Sequence, residues 1–335
     1  MDIEHIEFTS HNIRLDNGSF TKPDMRYSMD ADESFVSARR LLDTVFPGDK
    51  NHYRLADLGC LEGGFAVEFA RMGFQVLGIE VREANIAACN YVKANTNLPN
   101  LEFIKDDARN IAKYGVFDVV FCKGLLYHLD KPKEFLNTLS AVTTKLLILQ
   151  THFSTDTKNK DTKNKEHRWF GIARKPLARV KRHILAFGIA RKLLARVKRH
   201  ILAFGIARRL LARVKRHNPE PAAKDGHWRE FNLSELTENE TLRGRWYTEF
   251  ANDEAFSKRD SSKWSSWDNR RSFWIQREYL LQAIYDVGFD LVMEQFDNLG
   301  PNIAESTLCG FYKAESYGAF IGIKTEKAAQ NRVTC

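Results

Sequence analysis

The apolar positions change their period several times along the chain, and each change marks an element. Leu55 to Leu58 is a short apolar run that reads as a buried strand. Phe65, Ala66, Phe69 and Ala70 then recur on one helical face, and Gly73 stops that helix. Gln75 to Ile79 is a second buried strand, ending in Glu80. Residues 83–95 carry a helical pattern and 101–105 a third strand. Val116 to Cys122 is an unbroken apolar strand, the kind covered on both faces. Pro132 opens a helix that runs to Ser140, and Leu146 to Gln150 is a fifth strand, followed by Thr151 and His152. Upstream, Ile13, Leu15 and Asn17-Gly18 predict a turn or short hairpin. Ser34 to Phe46 predicts a helix with Phe35, Leu41, Leu42 and Val45 on its apolar face, closed by Pro47-Gly48. That lead-in helix either lids the neighbouring pocket or covers a sheet edge. After a long break, 272–287 reads as a helix, and 289–296 and 318–323 as the last two strands.

The first strand, its turn and the second strand carry the chemistry. Gly59, Gly63 and Gly64 form a glycine turn at the first strand's carboxyl end, where open parallel sheets bind adenosine-bearing ligands. The spacing separates two cofactor classes. A dinucleotide needs a second glycine two residues after the first, so that backbone can approach the pyrophosphate, and Leu61 stands there instead. S-adenosylmethionine (SAM) has no pyrophosphate. Asp57, just before the turn, can attract the ammonium of its methionine tail but would repel a phosphate. Glu80 can accept from both ribose hydroxyls.

On Asp57-Leu58-Gly59 through Gly63, and then Glu80, the chain resembles the class I SAM-dependent methyltransferases. The resemblance continues to about Leu149 and resumes from Phe273 to Lys324. It implies a seven-stranded, Rossmann-like α/β sheet with helices on both faces, the last strand inserted antiparallel, and SAM as cofactor. Asp106-Asp107-Ala108 resembles the family element that touches adenine. Asp107 would accept from the exocyclic amine and Ala108 would leave room for the ring; Asp107 would equally cap the next helix. Lys123 to Leu129 is the stretch that faces the reactive methyl in the family. Within it His128 is the candidate general base, because histidine titrates near neutrality, and Tyr127 the candidate for orienting the acceptor. His128 could instead be bonded within a helix-start loop. His152, at the end of the fifth strand, is a second candidate base. The motif GLLYHL with Pro132, and RRSFWI at 270–275, also resemble the transferases that carboxymethylate wobble uridine in tRNA. That match is short, and the extra basic residues that hold their carboxylated SAM have no counterpart that we can place.

Between the fifth strand and the returning sheet the pattern breaks. The expected organisation is a lead-in or lid at 1–50, a SAM-binding core at 51–152, an insertion at 153–265, the rest of the core at 266–325 and a polar tail at 326–335. The insertion holds two duplications. DTKNK occurs twice at 156–165, and a 17-residue unit, LARVKRHILAFGIARKL, runs from Leu177, nearly repeats from Leu194 and starts again at Leu211. Over one repeat length Ile189, Ala190, Leu193, Leu194, Val197 and Ile201 fall on one helical face and Arg191, Lys192, Arg196, Lys198 and Arg199 on the other. Such a unit suits an anionic membrane surface. Past it, tryptophans and phenylalanines gather in a polar stretch from Trp228 to Trp274, which suggests a helical, aromatic cap over the sheet's carboxyl edge.

The net charge changes meaning in this light. The chain carries +8, but 16 Lys and Arg and no acid lie in residues 168–217, so the remainder carries −8. An acidic core argues against a broad nucleic-acid surface. Five cysteines, scattered and without a CxxC pair, argue against a disulfide framework and a zinc site, and no metal is expected. No apolar run reaches the length of a membrane helix, and MDIEHIEFTS lacks a signal pattern, so the expected location is cytoplasmic. The favoured reading is methyl transfer to an O or N nucleophile of a small-molecule or sugar-type (glycan) acceptor. A tRNA-modifying transferase is second. A non-catalytic protein binding membrane or nucleic acid through the basic repeats is third, opposed by the intact Asp57, Glu80 and Asp107.

Overall fold

The structure is a computed structural model and describes residues 6–25, 27–155, 231–250, 256–262, 265–295 and 317–325. The 17-residue repeats and Trp228 lie outside these residues.

The strands are β1 (Arg54–Leu58), β2 (Gln75–Glu80), β3 (Leu101–Lys105), β4 (Phe117–Lys123), β5 (Thr143–His152), β9 (Leu291–Gln295) and β10 (Tyr317–Ile323), in one sheet of order β3-β2-β1-β4-β5-β10-β9. The first five pair in parallel, and β10 runs antiparallel to both β5 and β9. The strand order reverses between β1 and β4, which is where a doubly wound sheet opens its crevice.

Alternation along the central strands builds two cores. Leu55, Val119, Phe121, Leu146 and Ile148 face helices α1 (Glu33–Val45) and α2 (Gly64–Arg71), meeting Phe35, Leu42, Phe65 and Phe69. Ala56, Leu58, Val120, Cys122, Leu147 and Leu149 face α4 (Pro132–Val142) and α6 (Arg277–Asp286), meeting Leu136, Leu139, Leu280 and Ile284. Helix α3 (Glu83–Ala94) adds Val92 to the first core. With both faces covered, the strands carry few polar positions, which is why they read as apolar runs. Asp32 caps α1, its carboxylate accepting from the amides of Ser34 and Phe35. The turn at residues 13–20 closes as the sequence predicts, with the Leu15 amide donating to the Ser19 carbonyl at 2.8 Å.

One expected element is different. Residues 272–287 are not a single helix. Arg271–Ile275 is strand β8, pairing antiparallel with β7 (Leu242–Thr248), which pairs in turn with β6 (Thr237–Asn239). Only Arg277–Asp286 is helical. The helical spacing of the aromatics was overridden by a partner about thirty residues upstream. Phe273 and Ile275, two apart, enter the α4 side of the core with Leu242, while Trp246 packs against it. The aromatic cap is thus, among its described residues, largely a three-stranded sheet, and its one described helix is α5 (Phe256–Ser261). Among the described residues no helix is long and apolar enough to cross a membrane.

Candidate active site

The carboxyl ends of β1 to β5 open into one cavity of about 580 Å³, within the roughly 300–1,000 Å³ typical of small-molecule sites. Asp57, Gly59, Glu80, Asp107, Ala108, Tyr127, His128 and His152 all line it. Gly63 does not. It takes a left-handed φ of 81° before α2, and a Cβ there would sit 2.6 Å from the Phe103 ring, so packing behind the wall requires the glycine.

The turn after β1 is held by its neighbours. Gly59, at φ 67°, and Cys60 both donate their amides to the Ile79 carbonyl. Leu61 is also left-handed, at φ 53°, and its amide donates to Glu80 Oε2 at 3.0 Å. Glu80 Oε1 accepts from the amides of Val81 at 3.0 Å and Arg82 at 2.9 Å. Burial raises Glu80 above the ordinary carboxylate range, against the opposing pull of the Arg82 amide and charge, Asn85 and the Leu61 amide. Asp57 is 2% exposed and its Oδ2 has no partner. Burial raises it to about 8; the Ala66 amide and Lys123 oppose that, and Glu80 adds to it. A buried, unpaired carboxylate oxygen is costly unless something compensates it.

Beyond β3, Asp107 is already engaged. It accepts from the Arg109 amide at 2.8 Å, as a helix cap does, and from Arg109 Nε at 3.0 and 2.9 Å. Arg109 also pairs with Asp268. Ala108 is 7% exposed and supplies a small surface beside it. Arg82, following Glu80, donates to the carbonyls of Asp260, Ser262 and Ser265. The two arginines therefore fasten Asp260, Ser262, Ser265 and Asp268 at this end of the cavity.

At the other end His128 is oriented rather than loose. Its Nδ1 lies 2.8 Å from Glu249 Oε1. Glu249 follows β7 and also accepts from Ser272 Oγ at 2.8 Å and the Ser266 amide at 3.2 Å. A carboxylate can only accept, so Nδ1 donates and a neutral ring keeps Nε2 as acceptor. The His128 carbonyl takes Ser266 Oγ and Asn269 Nδ2, both at 3.0 Å. Tyr127 stands edge-on to His152, with centroids 4.6 Å apart, and His152 stacks on Trp274 at 4.7 Å. Burial pushes the Tyr127 phenol well up, so it remains a donor. Glu249 could not be found from sequence: it lies over a hundred residues from His128, in the strand pair that helical spacing obscured. His11 was missed too. Its Nδ1 accepts the Gly64 amide at 3.0 Å and burial lowers it to about 4, so it is neutral and its Nε2 carries the proton.

Residues 49–187 match the family model described as a methyltransferase domain. These residues carry a methyltransferase domain. A protein of Geobacillus sp. (strain WCH70) named as a methyltransferase is 33% identical over 115 residues, 34% of this chain and 44% of its own length. The ubiquinone biosynthesis O-methyltransferase of Acinetobacter baumannii (strain AYE) is 32% identical over 85 residues, 25% of this chain and 36% of its own length. The chain thus spans less than half the length of these curated relatives. Among solved structures, the N-terminal domain of EvdMO1, crystallised with SAH and D-fucose, superposes with a TM-score of 0.50 at 18% identity, covering 88% of this chain and 84% of that one. That likeness is one of fold. The methyltransferase domain's own residues fit SAM: Asp57 presents an unpaired carboxylate oxygen, Gly59 leaves the turn without a side chain, and Glu80 is braced by three amides at the second strand's end.

Proposed function

We propose that the protein transfers a methyl group from SAM to an oxygen or nitrogen of a small, sugar-type acceptor, with His128 as general base. The observation that carries this reading is the Glu249–His128 pair on the wall of the cavity that Asp57, Gly59 and Glu80 also line. When bound, SAM supplies a methyl group already activated on a sulfonium. The chain's part is to align the acceptor with that methyl and exclude water, worth up to roughly 7–11 kcal/mol. His128 Nε2 takes the acceptor's proton and Glu249 stabilises the imidazolium, a contribution of about 100-fold or more. Tyr127 orients the acceptor through its hydroxyl. The aromatic surface of Tyr127, His152 and Tyr317 suits the apolar face of a sugar ring, and EvdMO1, crystallised with D-fucose, has the same fold.

In this reading Asp57 faces the methionine ammonium, Glu80 the ribose, and Asp107 and Ala108 the adenine. Calorimetry with SAM tests the cofactor. Tritiated-methyl transfer into separated sugar, small-molecule and tRNA pools tests the acceptor. Counts in the sugar pool support the proposal; label in tRNA alone, or no SAM binding, overturns it.

A further inference from the structure

The floor of the cavity contains a lysine that the methyl-transfer chemistry does not use. Lys123 ends β4 and lines the cavity. Its ammonium is 2.9 Å from Ser34 Oγ and 5.2 Å from the centre of the Phe65 ring. A lysine ammonium has three donors, and this one makes no ion pair among the described residues. Burial depresses it, while Asp32 and Asp57 nearby favour its charged form. Asp32 lines the same cavity, its Oδ1 fixed by the first amides of α1. His11 lies beside it, neutral and with a donor on Nε2. One cation and two carboxylates thus meet at one end of a cavity whose other end suits an adenosine.

That set of charges is complementary to one ligand fragment. The tail of SAM carries one carboxylate and two cations, the ammonium and the sulfonium. We propose that Lys123, with Ser34 beside it, binds the carboxylate of the amino-acid tail, and that Asp32 joins Asp57 in facing its cationic groups. A phosphate or other dianion is disfavoured by the two carboxylates. The inference rests on SAM being the cofactor and goes further: residues 29–34, which lie ahead of the 49–187 domain match, complete the cofactor site. The lead-in helix α1 is then part of the binding machinery, and its cap residue serves both the helix and the ligand.

The test compares ligands that differ only in the tail, by calorimetry on the full chain. The probes are SAM, decarboxylated SAM, which keeps the ammonium and sulfonium, and 5′-methylthioadenosine, which lacks the tail. A charge-assisted contact predicts that the native chain binds decarboxylated SAM roughly 10- to 100-fold more weakly than SAM. Lys123→Met should weaken SAM by a similar factor and leave decarboxylated SAM and 5′-methylthioadenosine unchanged; unchanged 5′-methylthioadenosine affinity also shows that the variant is folded. Equal affinity of the native chain for SAM and decarboxylated SAM overturns the proposal without any variant. So does a Lys123→Met loss of the same size for all three ligands. If the native chain binds 5′-methylthioadenosine or SAM in neither form, the cofactor reading itself has failed, and this inference with it.

Discussion

The two ends of the cavity are assembled in opposite ways. In the proposed reading, the adenosyl end takes Asp57, Gly59, Glu80, Asp107 and Ala108 from one run of chain, each at or just past the carboxyl end of β1, β2 or β3. In the same reading, the acceptor end takes Tyr127 and His128 from beyond β4, His152 from β5, Ser266 and Trp267 from the segment before β8, and Tyr317 from β10. Local strand-turn-helix geometry suffices to place the first set. The second set exists only once distant strands have paired, as the Glu249–His128 contact across 121 residues shows. A site built this way can keep its cofactor end constant while the acceptor wall changes with the inserted strands.

If the division is real, substitutions should sort by end. The largest effect is expected at the acceptor end: His128→Ala should lower turnover about 100-fold or more while SAM affinity stays within about twofold. A matching loss of SAM affinity would break the comparison. At the adenosyl end, Glu80→Ala should weaken SAM by roughly 30- to 100-fold through two lost ribose contacts; an unchanged dissociation constant in calorimetry would remove Glu80 from the site. Glu249→Gln should cost about tenfold in turnover by releasing the His128 tautomer, again with SAM affinity kept. Equal turnover would leave Glu249 a purely structural bridge to Ser272 and Ser266.

Asp57 sharpens the comparison by stability. Its folded value of about 8 lies above the ordinary 3.8, so its contribution is fully present below about pH 4 and is lost as pH rises toward 8. Asp57→Asn should therefore make the free protein more stable than the native chain at pH 7 by about 1–3 kcal/mol, with the gap opening between pH 4 and 8. Thermal unfolding across that range checks it, and a gap independent of pH would contradict the assignment. SAM affinity should fall in the same variant. The smallest effect is expected from the repeats: deleting residues 177–210, two whole units, should leave SAM affinity and the melting temperature unchanged. It should also abolish any binding to anionic vesicles, and a deletion chain that failed to fold would show the repeats to be part of the working structure.

How far the sequence could be read follows the same line. The central parallel strands were legible because burial on both faces leaves them mostly apolar, β3 was legible from its short apolar run between turns, and the last antiparallel strand was legible through the family resemblance. Helix α1 was legible from its one-sided apolar face and its stop at Pro47-Gly48. Strand β8 was not, since Phe273, Trp274 and Ile275 satisfy a helical and a strand pattern alike, and only pairing with Leu242–Thr248 decides between them. A glycine in a turn signals backbone freedom and points Gly63 toward the ligand, whereas the structure sets its left-handed turn against the Phe103 ring behind the wall.

The sequence by itself determined the strand-turn-helix unit, the acids at the ends of β1 and β2, and the position of Tyr127 and His128 past β4, because each depends on residues near it in the chain. Only the tertiary structure decided which charges meet. Glu249 reaches His128, Lys123 of β4 reaches Ser34 of α1, and Arg82 and Arg109 secure residues of the segment before β8. Such contacts depend on chain closures of tens to nearly two hundred residues, and a local pattern carries no record of where a distant side chain will stop.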